Sequence, residues 1–149
     1  MRAHIFIDNS NILLGAQRAA KVREAYIPRV AVRVKIRHLA LLVERGHRVC
    51  TRQLAGAVPP GNEDLWQYAR DLGYNTDLLR KVERDDGRIG EQGVDEMLHL
   101  KIANYILDHD TPKTLVLVTG DGKLSEFNTS FPLQAERSLK RGWHVKVWS

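Results

Sequence analysis

Residues 114–119, Thr-Leu-Val-Leu-Val-Thr, are apolar or β-branched at every position and stop at Gly120-Asp121-Gly122. A strand with one face in water alternates, whereas a run apolar throughout reads as a strand covered on both faces. That is the condition of a parallel sheet between helix layers. Residues 3–7, Ala-His-Ile-Phe-Ile, alternate weakly but are apolar apart from His4, and read as a second buried strand running into the polar turn Asp8-Asn9-Ser10-Asn11. A fold that buries both strands needs helices on either side of them.

The rest of the chain supplies them. Residues 12–20 read as a short helix with Asn9 or Ser10 as its N-cap, and residues 21–26 as a polar connection. Pro28 suits a helical first turn, followed by a stripe of Val30, Val34, Ile36, Leu39, Leu42 and Val43 that Gly46 ends. Arg48–Val58 reads as a second strand, closed by Pro59-Pro60-Gly61. Asn62 is placed to cap a helix over 63–72, with Leu65, Trp66, Ala69 and Leu72 inward and Gly73 just past its end. Residues 75–82 form a third strand, and 83–93 a charged, glycine-containing loop. Val94, Met97, Leu98, Ile102, Tyr105 and Ile106 mark one face of a helix about four turns long. A helix over 132–141, stopped by Gly142, and a strand over 143–148 finish the chain. Strands alternate with helices without a linker or repeat, which predicts one α/β domain over 1–149. Its expected form is a three-layer α/β/α sandwich with a mainly parallel central sheet and right-handed crossovers.

Composition excludes several classes. With 43% hydrophobic and 28% charged residues among 149, the chain is globular rather than disordered. No apolar run approaches the roughly 18 residues of a membrane span, and the N-terminus lacks a signal peptide's long apolar region. Cys50 is the single cysteine, which excludes intramolecular disulfides and cysteine-based zinc sites and fits an intracellular, cytoplasmic location. Its expected role is that of a small buried hydrophobe. Charge is uneven. Residues 1–52 carry eleven Arg and Lys against Asp8, Glu24 and Glu44, a net of +8; residues 53–149 carry twelve against fifteen acids, a net of −3. Two readings are open: solvated helix faces, or a polyanion-binding surface beside a site that needs carboxylates.

In open α/β sheets, ligands bind beyond the carboxyl ends of the strands. Asp8 follows the first strand, Asp121 lies two residues past the 114–119 strand, and Asp95 opens the long helix before that strand. Three acids from separated segments converge in this reading. Convergent carboxylates repel unless a cation neutralises them, and oxygen ligands without a His or Cys pattern suit Mg²⁺ or Mn²⁺. The alternative for any one of them is a helix cap.

The motifs Ile5-Phe6-Ile7-Asp8-Asn9-Ser10-Asn11, Gly93-Val94-Asp95-Glu96 and Leu117-Val118-Thr119-Gly120-Asp121-Gly122 resemble, in order and spacing, the signatures of the NYN domain, a family of the PIN-like nuclease superfamily. Residues 139–145, Leu-Lys-Arg-Gly-Trp-His-Val, are similar to that family's final helix-to-strand turn, so the resemblance spans essentially the whole chain. It implies a PIN-like fold and metal-dependent cleavage of RNA, with Mg²⁺ or Mn²⁺ as cofactor. Asp8, Asp95 and Asp121 match the metal-binding acids, Asn11 the polar residue after the first, and Glu96 a second acid found in some relatives. Many relatives carry a further acid two residues after the Asp of the glycine turn, where this chain has Lys123. Glu126 is the candidate to supply that carboxylate.

Arg80, Lys81, Arg84 and Arg88 lie in or beside the charged loop, near the expected rim. Phosphate contact and mere solubility are both open for them. Arg18, Lys21, Arg23, Arg29, Arg33, Lys35 and Arg37 make a second basic stretch, open to two readings: a nucleic-acid contact in which Tyr26 stacks on an unpaired base, or an ordinary exposed helix, the reading favoured for Arg33 to Arg37. The expected partner is single-stranded RNA, not a membrane, and a homodimer is left open. The six histidines make no metal-spaced pair; His99, one turn after Asp95, either orients that carboxylate or is packed. Trp66, Trp143 and Trp148 read as core. Two other functions compete: an RNA-binding module that has lost turnover, which Lys123 favours, and a phosphoacceptor or phosphatase. The latter is opposed because the dehalogenase-type phosphatases need Asp-x-Asp where this chain has Asp8-Asn9-Ser10.

Overall fold

The computed structural model describes residues 2–58, 63–80, 82–83, 89–90, 93–120 and 128–149. Strand β1 (Arg2–Asp8) leads directly into helix α1 (Asn9–Arg23); a 3-10 turn (Arg29–Ala31) precedes α2 (Ile36–Glu44). Then come β2 (Arg48–Val58), α3 (Glu63–Asp71), β3 (Asn75–Arg80) and the two short strands β4 (Val82–Glu83) and β5 (Ile89–Gly90). Helix α4 (Val94–Leu107), β6 (Thr114–Val118), α5 (Phe131–Lys140) and β7 (His144–Trp148) complete the chain.

The main sheet has five strands in the order β3-β2-β1-β6-β7, every neighbouring pair parallel. The continuous apolar runs thus occupy the centre, where both faces are covered. Side chains alternate along each strand, and two cores result. Ala3, Ile5 and Ile7 of β1 and Val116 and Val118 of β6 pack with Ile36, Ala40 and Val43 of α2 and Trp66 and Ala69 of α3. Phe6 of β1 and Leu115 and Leu117 of β6 pack with Leu98 and Ile102 of α4 and Phe131 of α5. The architecture is the expected three-layer α/β/α sandwich. Among the described residues no helix is long and apolar enough to cross a membrane.

The helix ends follow local chemistry. Ser130 caps α5, its hydroxyl accepting from the Leu133 N–H at 3.1 Å. Gly73 and Gly142 take φ of +86° and +80°, left-handed values that a side chain resists, and so turn the chain out of α3 and α5. At the α2–β2 junction, Arg52 donates twice to Glu44 at 2.8 Å each, and the Tyr74 hydroxyl donates to the same carboxylate at 3.0 Å.

Several expectations fail for visible reasons. The helix expected from Pro28 is a 3-10 turn followed by extended chain, and α2 begins only at Ile36. The Arg33 guanidinium donates to the Val30 and Val32 carbonyls, and Val30 and Leu42 of the supposed stripe are exposed. The strand expected over 75–82 ends at Arg80, and Val82–Glu83 instead pairs antiparallel with Ile89–Gly90 of the expected loop. Cys50 is exposed rather than buried: β1–β2 pairing passes from Ala3↔Val49 to His4↔Thr51, so Cys50 is the extra residue of a bulge. Trp148 is 37% exposed because it lies on the edge strand β7, while Trp66 and Trp143 are core.

Candidate functional site

Asp8 is the last residue of the central strand and is 0% exposed. It is itself the N-cap of α1, the role expected of Asn9 or Ser10. The chain turns helical immediately after β1, so the strand's terminal side chain is the one in reach of the free N–H groups. Its Oδ1 accepts from the Asn11 backbone N–H at 3.1 Å, and its Oδ2 accepts from Asn11 Nδ2 at 2.6 Å and from the Thr119 hydroxyl at 3.1 Å. Thr119 follows β6, whose Val118 pairs with Ile7, so Asp8 is tied both to its own helix and to the neighbouring strand.

All three donors are neutral, and no Lys, Arg or His pairs with Asp8 among the described residues. A carboxylate offers about four acceptor sites over its two oxygens. Among the described residues Oδ2 is used twice and Oδ1 once, which leaves a site on Oδ1. Burying a carboxylate without a counter-ion is costly, and the helix N-terminus that Asp8 caps offsets part of that cost.

Asp95 and Glu96 stand in the first turn of α4 and are half-buried. The head of α4 lies at the same end of the sheet as Asp8. Asp8 pairs with Ala55 on β2, Ala55 belongs to the core that holds Val94 and Leu98, and Gly93 approaches Leu79 near the end of β3. Acids in a first turn also complement the helix dipole, so their position has a structural reason as well. His99, one turn on, is buried, with its ring edge-on to Phe131 at 4.3 Å.

Asn11 and Asp8 are therefore brought together, and Thr119 is a partner that sequence reasoning missed. Its signal is its place, the first polar residue after the 114–118 run. Arg80 ends β3, paired with Val58, and Arg23 is the exposed last residue of α1. Asp121, Lys123, Glu126, Lys81, Arg84 and Arg88 lie outside the described residues. Among the described residues no group of three His, Cys, Asp or Glu is assembled that could hold a metal ion.

The other end of β1 carries a cluster that sequence spacing did not suggest. His4 is 2% exposed and surrounded by Tyr105, His109 and Trp143, with ring centroids at 5.2, 4.9 and 5.6 Å. Its Nδ1 is hydrogen-bonded to the Thr51 hydroxyl at 2.9 Å, while Nε2 has no partner. Burial first, then the nearby His109 and Lys113, lower its pKa to about 4.

No family model matches the chain, and no curated protein matches it. Among solved structures, the crystal structure of a protein of unknown function from Vibrio parahaemolyticus is similar, with a TM-score of 0.65 and 16% identity. The match covers 98% of this chain and 79% of that one. At this identity the likeness extends to the fold alone.

Proposed function

We propose that the chain is a metal-dependent ribonuclease of the NYN type, cleaving phosphodiester bonds of single-stranded RNA at the rim where Asp8 ends β1. The observation that carries this reading is Asp8 itself: fully buried, held by three neutral donors, and with an acceptor site left on Oδ1. The donor set supports Mg²⁺ or Mn²⁺, since the acids of this rim are hard oxygen ligands and none of the six histidines was expected to join them. Asp8, Asp95 and Asp121 are the residues that would hold the ion. When bound, such an ion lowers the pKa of water and stabilises charge on a phosphoryl oxygen.

The chain's own contribution is orientation. Asn11 and Thr119 fix both Asp8 oxygens, so the carboxylate cannot rotate away when the site is empty of cation. Glu96 and Glu126 are the remaining acids for placing water. Lys123 is a point charge that cannot ligate a cation but can grip a phosphate, as can Arg80, Lys81, Arg84 and Arg88 around β3 to β5.

The test is cleavage of a fluorescein-labelled single-stranded RNA by the full chain in Mn²⁺, in EDTA, and by the Asp8→Asn and Asp121→Asn variants. Cutting in Mn²⁺ that disappears in EDTA and in both variants is the expected result. An RNA that is bound but never cut overturns the nuclease reading in favour of an RNA-binding module.

A further inference from the structure

Helix α1 is unlike the other helices of the fold. It spans 15 residues, yet only Asn9, its first, is buried; the 9-residue α2 buries Ile36, Ala40 and Val43. Its last turn and the segment that follows are exposed as well, with Val22 85%, Tyr26 84% and Val30 78% accessible. Residues 9–37 hold seven Arg and Lys against the single acid Glu24. None of the seven has a carboxylate partner among the described residues, whereas Arg52, Lys101 and Lys140 all do. Arg29 instead donates to the Gln17 amide oxygen at 2.7 Å, and Arg33 to backbone carbonyls.

Part of this has a local cause, since Lys21 and Arg23 stand in the last turn of α1, where cations favour the helix dipole. Arg18, Lys35 and Arg37 have no such reason. A protein partner would be met by an apolar patch depleted in Lys and other charges at its centre. Here Val22 and Val30 are scattered among cations, and the single aromatic of residues 9–37, the exposed Tyr26, sits among them. Unneutralised charge of one sign is the electrostatic footprint of a nucleic-acid surface. The helix is also continuous with the candidate site: Asp8 caps it, and Arg18 lies about 15 Å along its axis at 1.5 Å per residue.

We propose that α1 and residues 24–37 form a rail for single-stranded nucleic acid. Arg18, Lys21, Arg23 and Arg33 contact phosphates, Tyr26 stacks on a base, and the strand is held beside the Asp8 rim. The choice of RNA over DNA rests on the ribonuclease reading; the rail does not. It is tested with a fluorescein-labelled 20-nucleotide oligo-uridylate and the full chain, by anisotropy in EDTA, where no metal-dependent cutting occurs. The Arg18→Gln/Lys21→Gln/Arg23→Gln variant replaces helix formers by a helix former, so the fold is kept, as its melting curve checks. Its log–log salt slope should be shallower than that of the parent by about 2, at about 0.7 per lost contact. Tyr26→Ala should weaken binding about tenfold with the slope unchanged. A slope that does not change in the triple variant overturns the rail, as does a parent chain that does not bind the strand. An acidic protein as the true partner would give the second of these results. A shallower slope together with an uncut RNA in Mn²⁺ keeps the rail and removes the nuclease.

Discussion

His4 and Asp8 stand on the same face of the same strand, with Phe6 between them, and both are buried. Their surroundings are opposite. Around His4 the fold supplies rings, one hydroxyl and two nearby cationic or potentially cationic side chains, and it leaves Nε2 without a partner. Around Asp8 it supplies three hydrogen-bond donors from two segments and no positive charge among the described residues. One end of β1 suppresses a charge and the other orients one. Buried polarity alone therefore says little; the donors and charges gathered around the group distinguish the two ends.

The sharpest separation should come from activity. Asp8→Asn is expected to lower metal-dependent turnover by about 10³ or more, because a metal's contribution of several kcal/mol depends on its ligands. The paired variant His4→Phe, which keeps a ring in the cluster, should cleave like the parent. The comparison breaks if both variants lose turnover alike in a single-turnover assay.

The second separation is by acid. His4 is neutral in the fold down to about pH 4, whereas the unfolded chain takes up its proton near 6.5. The unfolded state then binds more protons between those values, so stability is intact above pH 6.5 and falls as the pH drops toward 4. The full loss is about 3 kcal/mol, at 1.36 kcal/mol per pKa unit. Urea melts at pH 7, 5.5 and 4 should show this loss in the parent and a much smaller one in His4→Phe. Parallel curves for the two would mean that His4 is not the group responsible.

How far the sequence reveals these two ends differs for a physical reason. Asp8 was legible because a carboxylate that closes a doubly covered strand has few places to go. The central strands were legible because burial on both faces favours apolar residues at nearly every position, as in Thr114–Val118, and a second strand is found within the Arg48–Val58 stretch, filling it. Burial by a distant partner was not legible. His4 and His109 are 105 residues apart and meet only because α4 crosses back over the sheet, so no spacing rule finds them. The placement of β1 between β2 and β6 likewise depends on which layer each helix joins. Val30 and Val34 fit a helical stripe in the sequence, but Val30 lies in the 3-10 turn, Arg33 donates to the Val30 and Val32 carbonyls, and the chain from Val32 stays non-helical up to Ile36.

A third test probes the packing that holds the Asp8 end in place. A Cβ on Gly56 would lie 2.8 Å from Cη2 of Trp66 and 3.4 Å from Cβ of Asn9. Trp66 is 1% exposed and has no space to yield. Gly56→Ala should destabilise by about 2 kcal/mol, an overpacking loss only partly offset by the stiffer unfolded chain. Since Asn9 adjoins Asp8, turnover should fall with stability. A variant as stable as the parent would show that this end is more loosely packed than its burial indicates.

The smallest effect compares one hydroxyl at each end. Thr119 donates to the Asp8 carboxylate at 3.1 Å, and Thr51, paired across the ladder with His4, is bonded to its Nδ1 at 2.9 Å. Valine has nearly the shape of threonine, so either replacement removes a hydrogen bond with little change in packing. A hydrogen bond to a charged group contributes about 1.5–3 kcal/mol and one between neutral groups about 0.5–1.5. Thr119→Val should therefore lose roughly 1 kcal/mol more stability than Thr51→Val at pH 7. It should also reduce turnover, because Oδ2 of Asp8 then keeps only the Asn11 amide and the carboxylate gains freedom to turn. Thr51→Val should leave turnover alone. Equal losses of stability in chemical denaturation would mean that Asp8 and His4 draw alike on their threonines, and the contrast between the two ends of β1 would not hold.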